Sequence, residues 1–358
     1  MKAAVLGTTG YTGMILLRLL IEHPEVDKII PVSSSKPGVP LSSIDPGLGV
    51  SGMEKTKSVG GETVSIEKAT KLNPDVVFSA LPHLASARTC EPFFGKSIVI
   101  DLSADFRIKD AELFRKSYGE PPPRVDLLDR AVYGLCEVYR DEIRKADIIA
   151  NPGCYPTATL LPLYPLFKNN LIEKGRIVIN ALSGISGAGK KAELKLLFCE
   201  RSENTSAYSP GSTHRHAGEI QQRIKEFAGI PKGYSLAADS HDFEVLFTPH
   251  MVPLKRGMFI TTTVSLAREI ENSELNSIFL DAYTSSPFIS LTFDYIPQTR
   301  DVWGSNRCDI GWHLEGRTLI LFSVIDNLIK GASGQAIQNL NIRFGFIETA
   351  GLRSYGEI

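Results

Sequence analysis

The sequence predicts an α/β protein: a Rossmann-type, doubly wound parallel sheet joined to an α+β catalytic domain with a mixed or antiparallel sheet. Length, strand texture and an early glycine-rich turn carry that expectation. At ~150 residues per domain, the 358 residues make about two domains, each with chain enough for its own core. Short apolar runs alternate with helical patterns as far as Asn151, which implies parallel strands covered on both faces. Beyond Asn151 the runs lengthen and alternate apolar with polar, as in a sheet with helices on one side.

Residues 2–6 form the first β-type run. It breaks at Gly7, and from Tyr11 onward Met14, Leu17 and Ile21 keep helical spacing. The second strand, 28–32, ends in the polar cluster Ser33, Ser34, Ser35 and Lys36, followed by an irregular excursion to about residue 61. Buried-type runs at 75–81, 97–102 and 147–150 continue the sheet, with helices at 85–94 and 139–146 between them. Strands are expected in the second half at 176–182, 244–248, 259–266, 289–295 and 318–325. Helices are expected there at 219–228, closed by Gly229 and Pro231, and at 273–283, capped by Ser273. A last helix spans 333–343.

Composition excludes several classes. Thirty-nine basic against 40 acidic side chains leave a net charge of −1, without the positive field that drives nucleic-acid binding. Cys90, Cys136, Cys154, Cys199 and Cys308 are odd in number and widely spaced, so neither a disulfide framework nor a metal site is expected. Glycines and Arg18 interrupt the apolar N-terminus, and no run approaches the ~20 residues of a spanning helix. A cytosolic protein with no membrane partner is expected.

Five segments carry chemistry. Gly7-Thr8-Thr9-Gly10-Tyr11-Thr12-Gly13 lies between a strand and a helix, where glycine lets backbone N–H groups approach a pyrophosphate; the alternative is a turn that only packs helix on sheet. No carboxylate ends the second strand, and Ser34, Ser35 and Lys36 suit a 2′-phosphate, hence NADP, or else an ordinary polar turn. Asn151-Pro152-Gly153-Cys154-Tyr155-Pro156-Thr157 sets a cysteine at or just before a helix N-terminus, because Pro156 suits a first turn. The helix end favours thiolate and offers N–H groups to an oxyanion. His214-Arg215-His216, beside a helix expected to start near Ala217, supplies acid/base groups and a guanidinium. The stretch 183–190, from Ser183 through Ser186 and Gly187, reads as an anion nest or as a simple turn.

Together these segments resemble the N-acetyl-gamma-glutamyl-phosphate reductases almost end to end, with the aspartate-semialdehyde dehydrogenases as wider relatives. The likeness extends through Ala80-Leu81-Pro82-His83, Asp101-Leu102-Ser103-Ala104-Asp105-Phe106-Arg107, Tyr133-Gly134-Leu135, Thr248-Pro249-His250, Gly304-Ser305-Asn306 and Asp326-Asn327-Leu328. The resemblance implies Cys154 as nucleophile and His216 as acid/base group, with His214 the second choice. It implies Arg107, His214, Arg215 and Ser183 as substrate contacts. Gly7, Thr9, Gly10, Tyr11, Thr12, Gly13, Ser34, Ser35, Lys36, Leu81, Pro82, Ser186, Gly187 and Asn327 become cofactor contacts. The implied domains are 1–153 with a returning 328–358, and 154–327 for catalysis and assembly into a homodimer or homotetramer. Gly218 and Cys136 stand where the family usually has proline, and Ser35 and Lys36 where relatives often show arginine.

The resemblance implies NADPH-dependent reduction of an acyl phosphate, N-acetyl-L-glutamyl 5-phosphate, to the semialdehyde through a Cys154 thioester, in arginine biosynthesis. Alternatives are a carrier-linked aminoadipyl or glutamyl phosphate reductase of lysine biosynthesis, an aspartate-semialdehyde dehydrogenase, and a non-catalytic NADPH sensor.

Overall fold

The computed structural model describes residues 1–48, 53–230 and 243–357. The chain divides into two compact units: 1–109 with 122–152 and 332–353, and 110–121 with 153–331 and 354–358.

In the first unit six described strands form an all-parallel sheet: β1 (Lys2–Leu6), β2 (Lys28–Val32), β3 (Val76–Ser79), β4 (Ile98–Asp101), β5 (Ala131–Tyr133) and β6 (Ile148–Ala150), in the order β2-β1-β3-β4-β6-β5. The period of two along β1 sends Ala3 and Val5 to one face and Ala4 and Leu6 to the other. The first pair packs with Leu16, Leu17 and Leu20 of the helix Tyr11–Glu22 and with Ala336, Ile337 and Leu340 of the helix Gly334–Phe344. The second pair packs with Val64, Ala69, Cys90 and Phe93. Both faces are thus covered, which is why these strands read as continuous apolar runs.

In the second unit seven described strands make a mixed sheet: β7 (Gly175–Ser183), β8 (Ser206–Ala207), β9 (Phe243–Met251), β10 (Met258–Ser265), β11 (Ile289–Thr292), β12 (Cys308–Glu315) and β13 (Thr318–Ile325). Their order is β11-β12-β13-β10-β7-β9-β8, with β11/β12 and β7/β9 parallel and the remaining pairs antiparallel. Ile177, Ile179, Ala181, Met258 and Ile260 are buried, while Asn180 and Leu182 are exposed. The helix Cys154–Lys168 packs against β10, β13 and the helices Arg215–Phe227 and Asn272–Tyr283. It is apolar almost all round, as a helix enclosed by its neighbours should be.

Several local expectations need correction. Ser273 is not the cap: the helix begins at Asn272 after Glu271, with no side-chain cap bond. The helix placed near Ala217 starts at Arg215. The segment 85–94 splits into Ser86–Thr89 and the tight turn Glu91–Phe93, because Pro92 supplies no amide for a continuing helix. The excursion to residue 61 contains the helix Leu41–Ile44 and 3₁₀ turns Pro46–Leu48 and Glu54–Val59. Strands β5 and β12 and the helix Ala111–Tyr118 escaped sequence reading: β5 has three residues, and Gly311 and His313 break the apolar pattern of β12. Pro231 lies outside the described residues. No described helix is long and apolar enough to cross a membrane.

Candidate active site

Cys154 opens its helix, with Gly153 as a cap residue that offers no side-chain hydrogen bond. Pro156 has no N–H, so the Cys154 and Tyr155 amides are the donors of the first turn. Cys154 is half-buried, whereas Cys90, Cys136 and Cys308 are buried and Cys199 is exposed. Burial pushes the Cys90 thiol up to about 12, which keeps it an inert core side chain.

A cavity of about 460 Å³ in the second unit is lined by Cys154, Ser183, Gly187, His214, Arg215 and His216. The His214 and His216 ring centroids are 5.1 Å apart, and the Tyr155 ring meets both edge-on at 5.5 and 5.8 Å. His214 Nδ1 accepts the His216 amide at 3.2 Å, capping the helix that carries Arg215 and His216. That bond requires an unprotonated Nδ1, so the neutral ring carries its proton on Nε2. Burial, then the neighbouring Arg215 charge, lowers the His214 pKa to about 4. Arg215 is exposed, while His216 is buried apart from its cavity edge.

Sequence reading missed three groups here. Glu219, fully buried one turn beyond His216, accepts the Gly153 amide at 3.0 Å and so ties one helix to the start of the other. Its i+3 spacing from His216 was the available signal. The Tyr155 and Tyr208 hydroxyls lie 2.9 Å apart, and burial raises the Tyr155 pKa. Among the described residues, Lys191, Lys195 and Arg201 line the same cavity against the single carboxylate of Glu193. Their clustering over 190–201 was visible in sequence. Asn327 donates to Ser186 Oγ at 3.0 Å and accepts the Gly257 amide at 2.8 Å, which holds the turn Ile185–Ala188 in place.

The remaining candidates lie in the first unit. Gly7 has φ +82°, and a Cβ there would come within 2.5 Å of the Ala80 carbonyl oxygen; a Cβ on Gly13 would strike the Gly7 carbonyl. Gly10 differs, since the nearest neighbour of a Cβ there would be the Gly7 oxygen at 3.7 Å. The packing therefore demands glycine at 7 and 13 and leaves room over Gly10, at the start of the Tyr11–Glu22 helix that also carries Thr12. Thr9 is exposed in this turn. Ser34, Ser35 and Lys36 are exposed beyond β2, with the Lys36 amide donating to Ser33 Oγ at 3.1 Å. Leu81 and Pro82 follow β3; two residues on, Leu84 is held at φ +68° as its amide donates to Asp105 Oδ1 at 2.6 Å. Arg107, 4% exposed, donates from Nε to the Asn151 carbonyl and from Nη2 to the Leu102 carbonyl, both at 2.7 Å. Asp101, at the end of β4, is fully buried; burial, then the Asp105 charge, pushes its carboxyl up to about 6. Among the described residues no His/Cys/Asp/Glu cluster could hold a metal.

Residues 2–146 match the family described as semialdehyde dehydrogenase, NAD binding domain, and residues 154–327 match semialdehyde dehydrogenase, dimerisation domain. The chain is 41% identical over 360 residues to the N-acetyl-gamma-glutamyl-phosphate reductase of Caldicellulosiruptor bescii, covering 99% of each. It is 42% identical over 366 residues to that of a Geobacter species, covering 98% of each. Among solved structures, aspartate semialdehyde dehydrogenase II of Vibrio cholerae superposes with a TM-score of 0.67 at 18% identity, over 96% of this chain and 98% of that one. Aspartate semialdehyde dehydrogenase of Candida albicans, solved with NADP, gives 0.65 at 16%, over 95% and 97%. Those two show the shared fold. With full-length relatives near 40% identity and both domain families matched, the chain belongs to the N-acetyl-gamma-glutamyl-phosphate reductases of the semialdehyde dehydrogenase family.

Proposed function

We propose that the protein reduces N-acetyl-L-glutamyl 5-phosphate to N-acetyl-L-glutamate 5-semialdehyde and phosphate, a step of arginine biosynthesis, with Cys154 as nucleophile. The observation that carries this reading is a cysteine in the first turn of a helix, lining the same cavity as His214, Arg215 and His216. The Cys154 thiolate attacks the acyl carbon, the carbon–oxygen bond to phosphate breaks, and a thioester remains on sulfur. Arg215, Lys191 and Arg201 give the cavity the charge to receive an anionic acyl phosphate. NADPH supplies the hydride. The first-turn amides of Cys154 and Tyr155 stabilise the thiohemiacetal oxyanion; as it collapses to the aldehyde and the carbon–sulfur bond breaks, His216 returns to the departing sulfur the proton it took from the Cys154 thiol. His214, a helix cap with a depressed pKa, stays neutral at pH 7 and orients His216.

The open space over Gly10 and the exposed Ser34, Ser35 and Lys36 fit the pyrophosphate and 2′-phosphate of that cofactor, since residues 33–36 after β2 carry hydroxyls and a cation rather than a carboxylate. Thr9, Tyr11, Leu81 and Pro82 would complete the nucleotide side, Asn327, Ser186 and Gly187 would meet the nicotinamide, and Arg107 would meet the phosphate. The sheet face bearing Leu182, Phe259 and Phe322 supports homo-oligomer formation through the dimerisation domain.

The test is the reverse reaction of the purified protein with N-acetylglutamate semialdehyde, phosphate and NADP⁺ or NAD⁺. Turnover with NADP⁺ and not with aspartate semialdehyde is the expected result. Preference for aspartate semialdehyde would overturn the substrate assignment.

A further inference from the structure

At the end of β13 the fully buried Asp326 carboxylate gathers donors from three separate segments. Oδ1 accepts the Leu328 and Ile329 amides at 2.9 and 3.2 Å and Arg256 Nε at 3.3 Å. Oδ2 accepts the Gly304 amide at 2.9 Å and pairs with Arg256 Nη2 at 2.7 Å. The Asp326 carbonyl takes the Gly331 amide at 3.0 Å.

Two parts of the proposed site leave this hub. Asn327, the next residue, holds the Ile185–Ala188 turn through Ser186 and the 254–257 segment through the Gly257 amide. Gly331 lies against the nucleophile: a Cβ there would come within 2.7 Å of the Cys154 Cβ. A shift of Asp326 therefore moves both the Gly331 backbone packed against the Cys154 Cβ and the Asn327 contacts.

We propose that Asp326, braced by Arg256, is a positioning residue that sets the Gly331 seat of Cys154 and the Asn327–Ser186 contact together. The inference rests on the roles given to Cys154 and Asn327 above. An asparagine at 326 has similar size but only one acceptor oxygen, so its amide group would face the Gly304 N–H or the Arg256 guanidinium, donor against donor. Removing Arg256 leaves a buried carboxylate without its ion-pair partner, whereas lysine retains a charge for it.

The test uses the full chain carrying Cys199→Ser, so that the exposed second thiol does not report. Asp326→Asn, Arg256→Gln and Arg256→Lys are compared for kcat and the KM for NADP⁺ in the reverse reaction, and for the rate of Cys154 alkylation by iodoacetamide. Misplacing a reacting group by about 1 Å can cost 10²-fold. Arg256→Gln and Asp326→Asn are expected to lose about 10²-fold in kcat, raise the KM, and alkylate about fivefold faster as Gly331 loosens, with Arg256→Lys recovering to within about tenfold. The proposal is overturned if Arg256→Gln keeps kcat, KM and alkylation rate within about twofold of the parent, whatever Asp326→Asn does to folding. It is also overturned if the lysine variant is no better than the glutamine one. Absence of reductase activity in the parent would reject the proposed function instead, and the alkylation rates alone would then decide the role of Asp326.

Discussion

His214 and His216 share a cavity but differ in what holds them. His214 is fixed as a hydrogen-bond acceptor for the His216 amide, and its pKa is lowered to about 4, so protonation would break the cap it makes. The sign of its linkage follows: between the folded value and the unfolded 6.5, the unfolded chain binds the extra proton. The neutral ring's contribution is complete above about pH 6.5 and is lost as pH falls towards 4, a loss on the order of 3 kcal/mol for a shift of this size. His214→Asn is expected to flatten the pH 4 to 6.5 part of the Tm profile relative to wild type; an unchanged slope would reject the assignment. For turnover, His216→Asn is expected to lose ~10²-fold or more, within the range for general acid–base groups, and His214→Asn markedly less. Steady-state kinetics of the two variants would reverse the roles if the order were opposite. The sequence announced Cys154 and both histidines because proline, glycine and local spacing constrain them. Glu219 left only its spacing from His216 as a trace, and its bond to Gly153, like the Tyr155–Tyr208 pair, was illegible because both join segments far apart in the chain.

At the scale of elements, the glycine turn and the last helix show two ways that sequence dictates packing. Gly13 is required by the fold and Gly10 is not, so the two alanine variants separate structure from binding. Gly13→Ala is expected to destabilise by about 1–3 kcal/mol, read as a lower Tm. Gly10→Ala should keep the Tm and weaken NADPH binding by roughly tenfold or more, read by fluorescence titration, because a methyl would occupy the space facing the pyrophosphate. The helix Gly334–Phe344 buries Gln335, Gln338, Asn339 and Asn341. Asn339 donates to the Gly134 carbonyl at 2.9 Å and to Asn151 Oδ1 at 3.1 Å, and Asn341 donates to the Glu348 and Ala350 carbonyls, both at 2.9 Å. These amides satisfy carbonyls that the helix would otherwise cover, so Asn339→Ala should cost about 1–3 kcal/mol in chemical denaturation. A loss below a few tenths would contradict this account of the helix. Strands β1 and β2 were readable to the residue because both faces are apolar. Strand β12 was not, because its pairing with β13 rather than its own pattern makes it a strand.

For the whole molecule, each unit is assembled from separated stretches of chain, with 332–353 in the unit of the parallel sheet and 110–121 in that of the mixed sheet. Strand alternation made the two kinds of sheet legible. The placement of 110–121 was not, because the Ala111–Tyr118 helix packs on the distant helix Arg215–Phe227, a contact no local pattern encodes. The central claim is covalent: the acyl group passes through the Cys154 sulfur. Mixing the protein with N-acetylglutamyl phosphate and no nicotinamide, then following phosphate release and intact mass, tests it directly. A burst of one phosphate per active site with an N-acetylglutamyl adduct on Cys154, both absent from Cys154→Ser, is the predicted result. Near-native turnover of Cys154→Ser, or turnover of wild type with neither burst nor adduct, would contradict it.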